Sequence, residues 1–432
     1  MSSERLVELD KIFSDSLAPS GSDLDSNAVL ARLADVFRDD VEEDILSDGP
    51  DLQLLLSSIK KVANGAVPSD DLFFSIAYLA HSDSITDYEP LIELLLNLLS
   101  IKTFRASSHS LFFSWSVLLL ERLCTDQKTD KNVDKLLEYS FHFLNERTED
   151  VYPPHGLLDS ILRLIQSRED KVGYNPIGWP AHARLFISRL LRTRELPWKL
   201  QQACNLLIIS SLRLLGPRFL SADELFTRLI AAITVVHFRI QLEALSTREP
   251  LPTTVKLLEE ILAVAEDESA LSDDAALSIA TNMREALLVV AGYLKGRDEN
   301  PEPLSDEHTS LVASFVSLQL EGGAGTTIPG EDLDVIIDWL QTEALSSGPV
   351  LKALLDCIDS IEKVDSRVLR ACLALVLREH PSGRWREAEE MAVTAIEGLN
   401  RVDFYDGASL KEARERLEPI PVDKLKELLK SL

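Results

Sequence analysis

The sequence predicts an all-α protein built from helical repeats, and three observations lead to that prediction. Apolar residues recur at three- to four-residue steps along almost the whole chain, as they do on one face of a helix. Alternating β-branched runs are scarce, and no Asn-Gly or Asp-Gly turn joins two of them. The predicted helices recur in pairs at about 35–50 residues, the period of armadillo and HEAT arrays. We therefore expect an armadillo/HEAT-like helical-repeat superhelix (an α-solenoid) of about twenty helices.

The length of 432 residues exceeds what one compact hydrophobic core usually serves. Hydrophobic residues make up 45% of the chain, which is ample for a core. A repeat array accommodates both facts, because each helix pair buries its apolar faces against its neighbours. We predict a single continuous α-solenoid over residues 1–432, with an acidic N-terminal cap region at 1–51, a main repeat array at 52–295 and C-terminal repeats at 305–432.

The formal net charge of −27 limits what the protein can bind. Phosphate binding needs a basic surface, so this charge argues against a general nucleic-acid binder and against docking on anionic lipid. An acidic surface favours basic partners instead. Residues 1–51 carry fourteen acidic side chains against four basic ones. The acidic run at 39–44 is either a solvated helix end or a docking site for a basic partner.

Cysteine usage and the N-terminus both predict an intracellular protein. The four cysteines (Cys124, Cys204, Cys357 and Cys372) are scattered in apolar helical segments without CxxC pairs, as reduced core residues are. The N-terminal segment is charged too early for a secretory signal. The longest apolar runs, such as Leu229–Val236, are far shorter than the roughly 20 residues that span a bilayer. We therefore expect a soluble cytoplasmic or nuclear protein with no membrane insertion.

The predicted helices of the N-terminal half are separated by short polar or Pro/Gly turns. Ser69 is a plausible N-cap, because its hydroxyl can accept a hydrogen bond from the first helical turn. The segment Leu111–Leu123 is dense in large apolar side chains and is predicted to lie in the core. The predicted helices here are Ser26–Ile45, Leu52–Asn64, Asp70–Ala80, Tyr88–Ser100, His109–Cys124, Asn132–Asn145, His155–Gln166 and Trp179–Thr193.

The C-terminal half continues this pattern with two interruptions. Residues 296–304 form a charged, Pro-containing loop, and Gly322–Gly330 (GGAGTTIPG) is predicted to be the most flexible stretch of the chain. Neither is long enough to be a free linker between domains. The predicted helices here are Thr253–Ala265, Asp273–Leu294, Ser305–Leu320, Glu331–Glu343, Gly348–Ile361, Val364–Glu379, Arg384–Leu399, Ala408–Leu417 and Val422–Leu432.

Two long helices within Trp198–Leu245 are predicted to form the centre of the core. The first, Lys199–Leu215, ends at Gly216, which accepts a left-handed conformation, and at the proline after it. Ser221 is the expected N-cap of the second helix, with Glu224 completing a capping box. Because this second helix is apolar nearly all round, we expect it to be buried on several sides. Its main apolar stripe is Leu225, Leu229, Ile233, Val236 and Ile240.

Arg239 of this second helix is predicted to form a buried ion pair with Glu243. A guanidinium on a helix that is apolar nearly all round needs a partner, and Glu243 follows four residues later on the same face. We interpret the pair as an internal tie between stacked helices, whose loss would cost about 3–5 kcal/mol of stability. His237 is the best single candidate for a functional histidine, and a satisfied core histidine is its other interpretation.

The sequence contains no motif for catalysis, a cofactor or a metal. The segment GGAGTT lacks the Lys-Ser/Thr ending of a phosphate loop and follows no strand. The eight histidines are dispersed, with no HExxH and no His-x3-His pair, so no metal site is expected. Cys204 lies in mid-helix with no turn to expose it, which favours a structural thiol over a nucleophile.

One basic segment stands out in this acidic chain. Residues 163–199 hold eight basic side chains against three acidic ones, a net charge of +5. Two interpretations stay open. The cations compensate helix dipoles and form internal salt bridges, or they line a groove of the solenoid that binds an acidic peptide or a phosphate. The candidate partner-binding residues are Arg184, Arg189, Arg192 and Arg194.

A Leu/Ala-rich helix (LQQACNLLIISSLRLLGPRFL) is followed by an apolar helix ending in V-x-x-R-x-x-L-E (LFTRLIAAITVVHFRIQLE). The segment GWPAHARLFISRLL precedes them and NMREALLVVAGYL follows. Together these segments, from Gly178 to Leu294, resemble the middle of neurochondrin-type proteins. His237 stands where that family suggests an acidic residue, and the chain is shorter than the animal members. The resemblance implies a non-enzymatic, armadillo-like cytoplasmic scaffold or adaptor.

We therefore expect a scaffold that binds other proteins through the concave surface of the solenoid, without covalent chemistry. One alternative is an acidic chaperone or import adaptor that escorts a basic client protein, which the net charge supports. Strongly salt-sensitive binding would favour this escort, and salt-insensitive binding an apolar groove. Another alternative is an α-helical enzyme whose site carries no sequence motif.

Overall fold

All regular structure that the computed structural model describes is helical. It describes residues 26–37, 52–64, 69–81, 89–101, 110–126, 130–147, 155–169, 178–193, 196–243, 250–267, 270–296, 304–361, 367–379, 414–418 and 420–431, with single residues and short runs outside these ranges. These residues form eighteen α-helices and two 3-10 helices, and no strand. The all-α prediction is confirmed. The acidic run at 39–44 and most of the helices predicted between 384 and 417 lie outside the described residues.

The chain divides into two compact units, Met1–Ala222 (unit 1) and Asp223–Leu432 (unit 2). The described helices of unit 1 are α1 (Ser26–Phe37), α2 (Leu52–Ala63), α3 (Asp70–His81), α4 (Glu89–Ser100), α5 (Ser110–Asp126), α6 (Asp130–Glu146), α7 (His155–Gln166), α8 (Trp179–Leu191), α9 (Trp198–Leu215) and α10 (Arg218–Ser221).

Unit 2 begins with the second of the two helices that were predicted to form the centre of the core. Its described α-helices are α11 (Glu224–Glu243), α12 (Leu251–Glu266), α13 (Asp273–Lys295), α14 (Asp306–Glu321), α15 (Gly330–Ala344), α16 (Gly348–Asp356), α17 (Arg367–Glu379) and α18 (Asp423–Ser431). Two 3-10 helices lie at Ala324–Thr327 and Ile358–Ser360. The ends of the described helices agree with the predicted ones to within a few residues, except that the helix predicted at Gly348–Ile361 ends at Asp356 and a 3-10 turn follows. The predicted end of the Ser26–Ile45 helix lies outside the described residues.

Helices in both units pack on near neighbours along the chain. In unit 1, α5 packs on α3, α4, α6 and α7, and α6 packs on α4, α5, α7 and α8. In unit 2, α13 packs on α11, α12, α14 and α15. The main helix contacts in each unit therefore join a helix to the next one or to the next but one.

Hydrogen bonds also join alternate helices of unit 1. The Arg122 guanidinium donates to the Ala80 carbonyl, 42 residues away. Arg163 donates to Glu121 at the same separation, and Gln166 donates to Ser210 across 44 residues. These separations fall within the pair period of about 35–50 residues that the sequence predicts.

Helix α5 lies in the core of unit 1. Between residues 112 and 124, every residue except Arg122 is buried. The Phe113 ring stacks on Phe143 of α6 with 3.9 Å between ring centroids. The prediction that Leu111–Leu123 lies in the core is confirmed, with the Leu111 side chain outside the described set.

Helix starts and stops follow the predicted chemistry with one exception. Ser69 accepts a hydrogen bond from the Leu72 amide at 3.3 Å, and Gly216 ends α9 with a φ of 66°. The predicted capping box at Ser221 is wrong. The residue that caps α11 is Asp223, whose carboxylate accepts from the Phe226 amide at 3.0 Å. Ser221 ends the short helix α10, because the chain makes one more helical turn there before α11 begins.

Candidate interaction surface

The apolar stripe of α11 is exposed, which corrects the prediction that it is buried. We call Leu225, Leu229, Ile233, Val236 and Ile240 the α11 stripe. The exposed fractions are 79% for Leu225, 56% for Val236 and 46% for Ile240, and the other two side chains are half-buried. Steps of three and four residues place all five on one face of the helix. The protein thus presents a row of aliphatic side chains about four turns long.

The opposite face of α11 is buried. Phe226, Ile230 and Val235 are buried there, and the Phe238 ring contacts Phe315 of α14 with 5.6 Å between centroids. Within unit 2, α11 packs on α12 and α13. Because α11 is the first helix of the unit, it has no preceding helix of the unit to cover its remaining apolar face.

The ion pair between Arg239 and Glu243 forms, but it is not buried. The Arg239 Nε atom donates to the Glu243 carboxylate at 2.9 Å. The side chains are 63% and 56% exposed. The predicted burial is therefore wrong, because both residues lie on the same uncovered side of α11 as the stripe. An exposed pair of this kind contributes about 0.3–0.5 kcal/mol.

His237, the histidine singled out from the sequence, is half-buried on α11. Burial lowers the pKa of this imidazole to about 4, because the charged form loses its hydration. The side chain is therefore neutral at physiological pH. This environment matches a histidine packed in a helix interface better than one poised to exchange protons near neutral pH.

The basic segment at residues 163–199 makes most of its described contacts inside unit 1. The Arg189 guanidinium donates to the carbonyls of Leu144 and, at 3.0 Å, Asn145, at the C-terminal end of α6. Burial lowers the pKa of Arg189. The Arg184 guanidinium donates to the Phe219 carbonyl at 3.1 Å. Both contacts place a cation on helix-terminal carbonyls, where it suits the negative end of the dipole.

The other described arginines of this segment range from buried to exposed. Arg163 makes two hydrogen bonds to Glu121, whose side chain is only 8% exposed. Arg168 is buried. Arg192 is exposed at the C-terminal end of α8, and Arg194 lies outside the described residues. Of the four candidate partner-binding arginines, the structure gives Arg184 and Arg189 internal contacts and leaves Arg192 accessible.

A cavity of about 490 Å³ lies in unit 2 among α12, α13, α14 and the first 3-10 helix. Leu277, which is 68% exposed, stands at its wall together with Leu262 and Met283. The segment predicted to be the most flexible of the chain contributes Gly322 to Ala324 and Thr327 to this wall, partly as the 3-10 helix. No histidine is among the residues that line the cavity.

Three side chains that the sequence analysis did not connect meet between α6 and α8. One ligand atom from each of Glu138, His142 and His182 lies within 4.8 Å of the others. Glu138 and His142 are one turn apart on α6, a spacing visible in the sequence. His182 follows 40 residues later, about one helix pair along the chain, and only the packing of α6 on α8 brings it to them.

All four cysteines are buried and free, as predicted. Burial raises the pKa of Cys204 to about 12 and that of Cys124 to about 11. These thiols therefore stay protonated at neutral pH, which suits core packing rather than nucleophilic attack.

Two helices, α11 and α13, are long and apolar enough to cross a membrane by length and composition alone. This is weak evidence for insertion, because a core helix of a soluble protein passes the same test. The most apolar part of α11 is only 50% buried, which agrees with the exposure of its stripe.

Comparison of the chain with family models, curated proteins and solved structures gives no match.

Proposed function

We propose that the chain is a non-enzymatic, intracellular protein-binding scaffold of neurochondrin-like type, built as an armadillo/HEAT-like α-solenoid. The packing of each helix on the next and the next but one supports the solenoid. The resemblance over residues 178–294 supports the scaffold class, and it rests on the sequence segments quoted above.

The observation that carries the proposal is the exposed α11 stripe. Burying one exposed Leu, Val or Ile side chain against a partner is worth about 1.5–3 kcal/mol. A row of such side chains on a regular helix fits the apolar face of an amphipathic helix from another protein. The arginine groove, which the sequence left open as one of two interpretations, is a weaker candidate, since Arg184 and Arg189 donate to carbonyl groups inside unit 1.

A second candidate function, escort of a basic client protein, is favoured by the net charge of −27. It predicts binding that weakens steeply with salt, because exposed charges are screened beyond about 10 Å at 0.1 M ionic strength. Binding through the stripe predicts little salt dependence, because burial of apolar surface involves no net charge.

The test is affinity purification from the native cell with quantitative mass spectrometry, comparing the parent with Val236→Asp/Ile240→Asp. We expect the partner to be lost at least about tenfold, since a carboxylate has to be desolvated in the interface. The matched control is Leu185→Asp on α8 of unit 1, where another leucine is 59% exposed. Equal recovery of the partner with the parent and with the α11 variant would contradict the proposal. Binding of the protein to neutral-lipid vesicles through α11 would assign the stripe to a membrane instead.

A further inference from the structure

We propose that Glu138, His142 and His182 form a binding site for a divalent transition-metal ion, with zinc the best match. The three ligand atoms already lie within 4.8 Å of one another. The two imidazole rings are in contact, with 3.9 Å between centroids and 44° between their planes. The His142 Nε2 atom lies 3.9 Å from the Glu138 carboxylate.

These distances are close to those of a loaded site. Tetrahedral zinc with bonds of about 2.0–2.1 Å holds its ligand atoms about 3.3 Å apart. A pair at the 4.8 Å limit therefore has to approach by about 1.5 Å, and the His142–Glu138 pair by about 0.6 Å, which rotation of half-exposed side chains can supply. The side chains of His142 and Glu138 are 34% and 37% exposed, so an ion can enter and a water or a further group can take the fourth position.

The helices that carry the three ligands are held rigidly together. The Phe141 ring packs between them against Trp179 and Phe186, with centroid distances of 6.0 and 6.2 Å. The Asn145 side-chain amide donates to the His182 backbone carbonyl at 2.9 Å, which positions the first turn of α8. A fixed spacing between α6 and α8 lowers the entropy that ordering the ligands would cost.

Gly178 makes room for the carboxylate of the site. This residue is the N-cap of α8 and has a φ of 96°, which residues other than glycine rarely adopt. A Cβ atom at this position would lie 3.2–3.4 Å from the carboxyl atoms of Glu138, closer than most real contacts. The carboxylate also sits beside the N-terminal end of α8, where negative charge is favoured. Glycine at this position thus serves both the helix start and the position of Glu138.

The chemistry of the donor set selects the class of ion. Two imidazoles and one carboxylate suit zinc and its neighbours among the transition metals, whereas calcium and magnesium take mostly oxygen ligands. With neutral imidazoles the cluster carries a charge of about −1 and several lone pairs directed into a small volume. A bound ion would join α6 to α8 as a clip between successive helix pairs.

The experiment uses the full-length protein, stripped with a chelator and titrated with zinc chloride by calorimetry and with cobalt(II) by visible absorption. We expect one ion bound through nitrogen and oxygen ligands, and an increase in Tm on adding zinc. Glu138→Gln should weaken zinc binding at least about tenfold, and His142→Ala/His182→Ala should abolish it. His237→Gln, which removes a histidine outside the cluster, is the matched control and should bind as the parent does.

Failure of the parent to bind zinc above the level of the double variant would overturn the proposal. Cobalt spectra with thiolate bands would overturn it too, because they would place the ion on cysteines. Glu138→Gln keeps the shape of the side chain at a partly exposed position, so it tests the site even if the double variant is unstable. A folded Glu138→Gln variant with unchanged affinity for zinc would contradict the proposal that Glu138 is a ligand.

Discussion

Helices α5 and α11 are both apolar nearly all round, yet they occupy opposite environments. Between residues 112 and 124, α5 exposes nothing except part of Arg122. Helix α11 buries one face, while Leu225, Val236 and Ile240 on the other face stay largely exposed. Composition alone therefore does not decide whether an apolar helix becomes core or surface.

The difference lies in the position of each helix within its unit. Helix α5 has neighbours on both sides along the chain and packs on α3, α4, α6 and α7. Helix α11 is the first of unit 2 and within that unit packs on α12 and α13. A helix at the start of a compact unit has later neighbours within that unit but no earlier one, so the unit leaves one of its faces uncovered. The α11 face is aliphatic, which is why we assign it an interaction.

The largest effect that this comparison predicts is at the centre of α5. Phe113→Ala should lower the free energy of unfolding by about 3–5 kcal/mol, because it removes a fully buried ring that stacks on Phe143 and leaves a cavity. Leu225→Ala in the α11 stripe should change it by less than about 0.5 kcal/mol, since that side chain is already in water. Urea unfolding followed by circular dichroism measures both.

A similar cost for the two substitutions would show that the α11 stripe is covered in the isolated protein. That outcome would remove the main support for the scaffold proposal. A negligible cost for Phe113→Ala would mean instead that the core of unit 1 can collapse around the missing ring.

Periodicity was sufficient to predict the class of the fold and most helix boundaries. His155–Gln166 is predicted and observed with the same ends, and α9 differs by one residue at its start. The errors fall where a local pattern has two physical solutions. Ser221 and Asp223 are both good caps, and the extra turn of α10 decides between them. The Gly-rich stretch after α14, which was predicted to be the most flexible of the chain, contains a 3-10 turn that the sequence analysis did not predict.

The candidate surface was much less predictable than the fold. The spacing of Arg239 and Glu243 predicted their ion pair, but only the packing of α11 shows that the pair is exposed. The helical spacing of apolar residues tells which way an apolar face points, but it does not tell what covers that face. Likewise, Glu138 and His142 have a readable spacing, whereas the third ligand comes from another helix and has no signal in the local sequence.

A smaller effect concerns the pH dependence of stability through His237 on α11. Its pKa in the folded protein, about 4, lies below the ordinary value of 6.5. The unfolded chain therefore takes up this proton first as the pH falls below 6.5, so that folding is progressively disfavoured down to about pH 4 and His237 has no such effect above pH 7. Between pH 7 and pH 5 the parent should lose about 1–2 kcal/mol more stability than His237→Gln, as measured by urea unfolding.

Because both proteins contain the same carboxylates, comparing the parent with the variant cancels the contribution of these groups to the pH dependence of stability. Equal pH profiles for the two proteins would indicate that His237 is well hydrated in the folded state. Helix α11 would then be less covered on its inner side than the buried faces of α5.

The smallest predicted effect concerns the exposed ion pair of α11, which is compared with a more buried ion pair of unit 1. Arg239→Ala should lower the free energy of unfolding by less than about 0.5 kcal/mol, because the pair with Glu243 is exposed on both sides. The matched control is Arg163→Ala in unit 1, which leaves the Glu121 carboxylate, 8% exposed, without its two hydrogen bonds from Arg163 and should cost about 3 kcal/mol. A cost near 3 kcal/mol for Arg239→Ala would mean that the α11 face is buried in solution. In that case a further layer of protein, such as a second copy of the chain, already covers the stripe, and the Tm of the parent would rise with protein concentration.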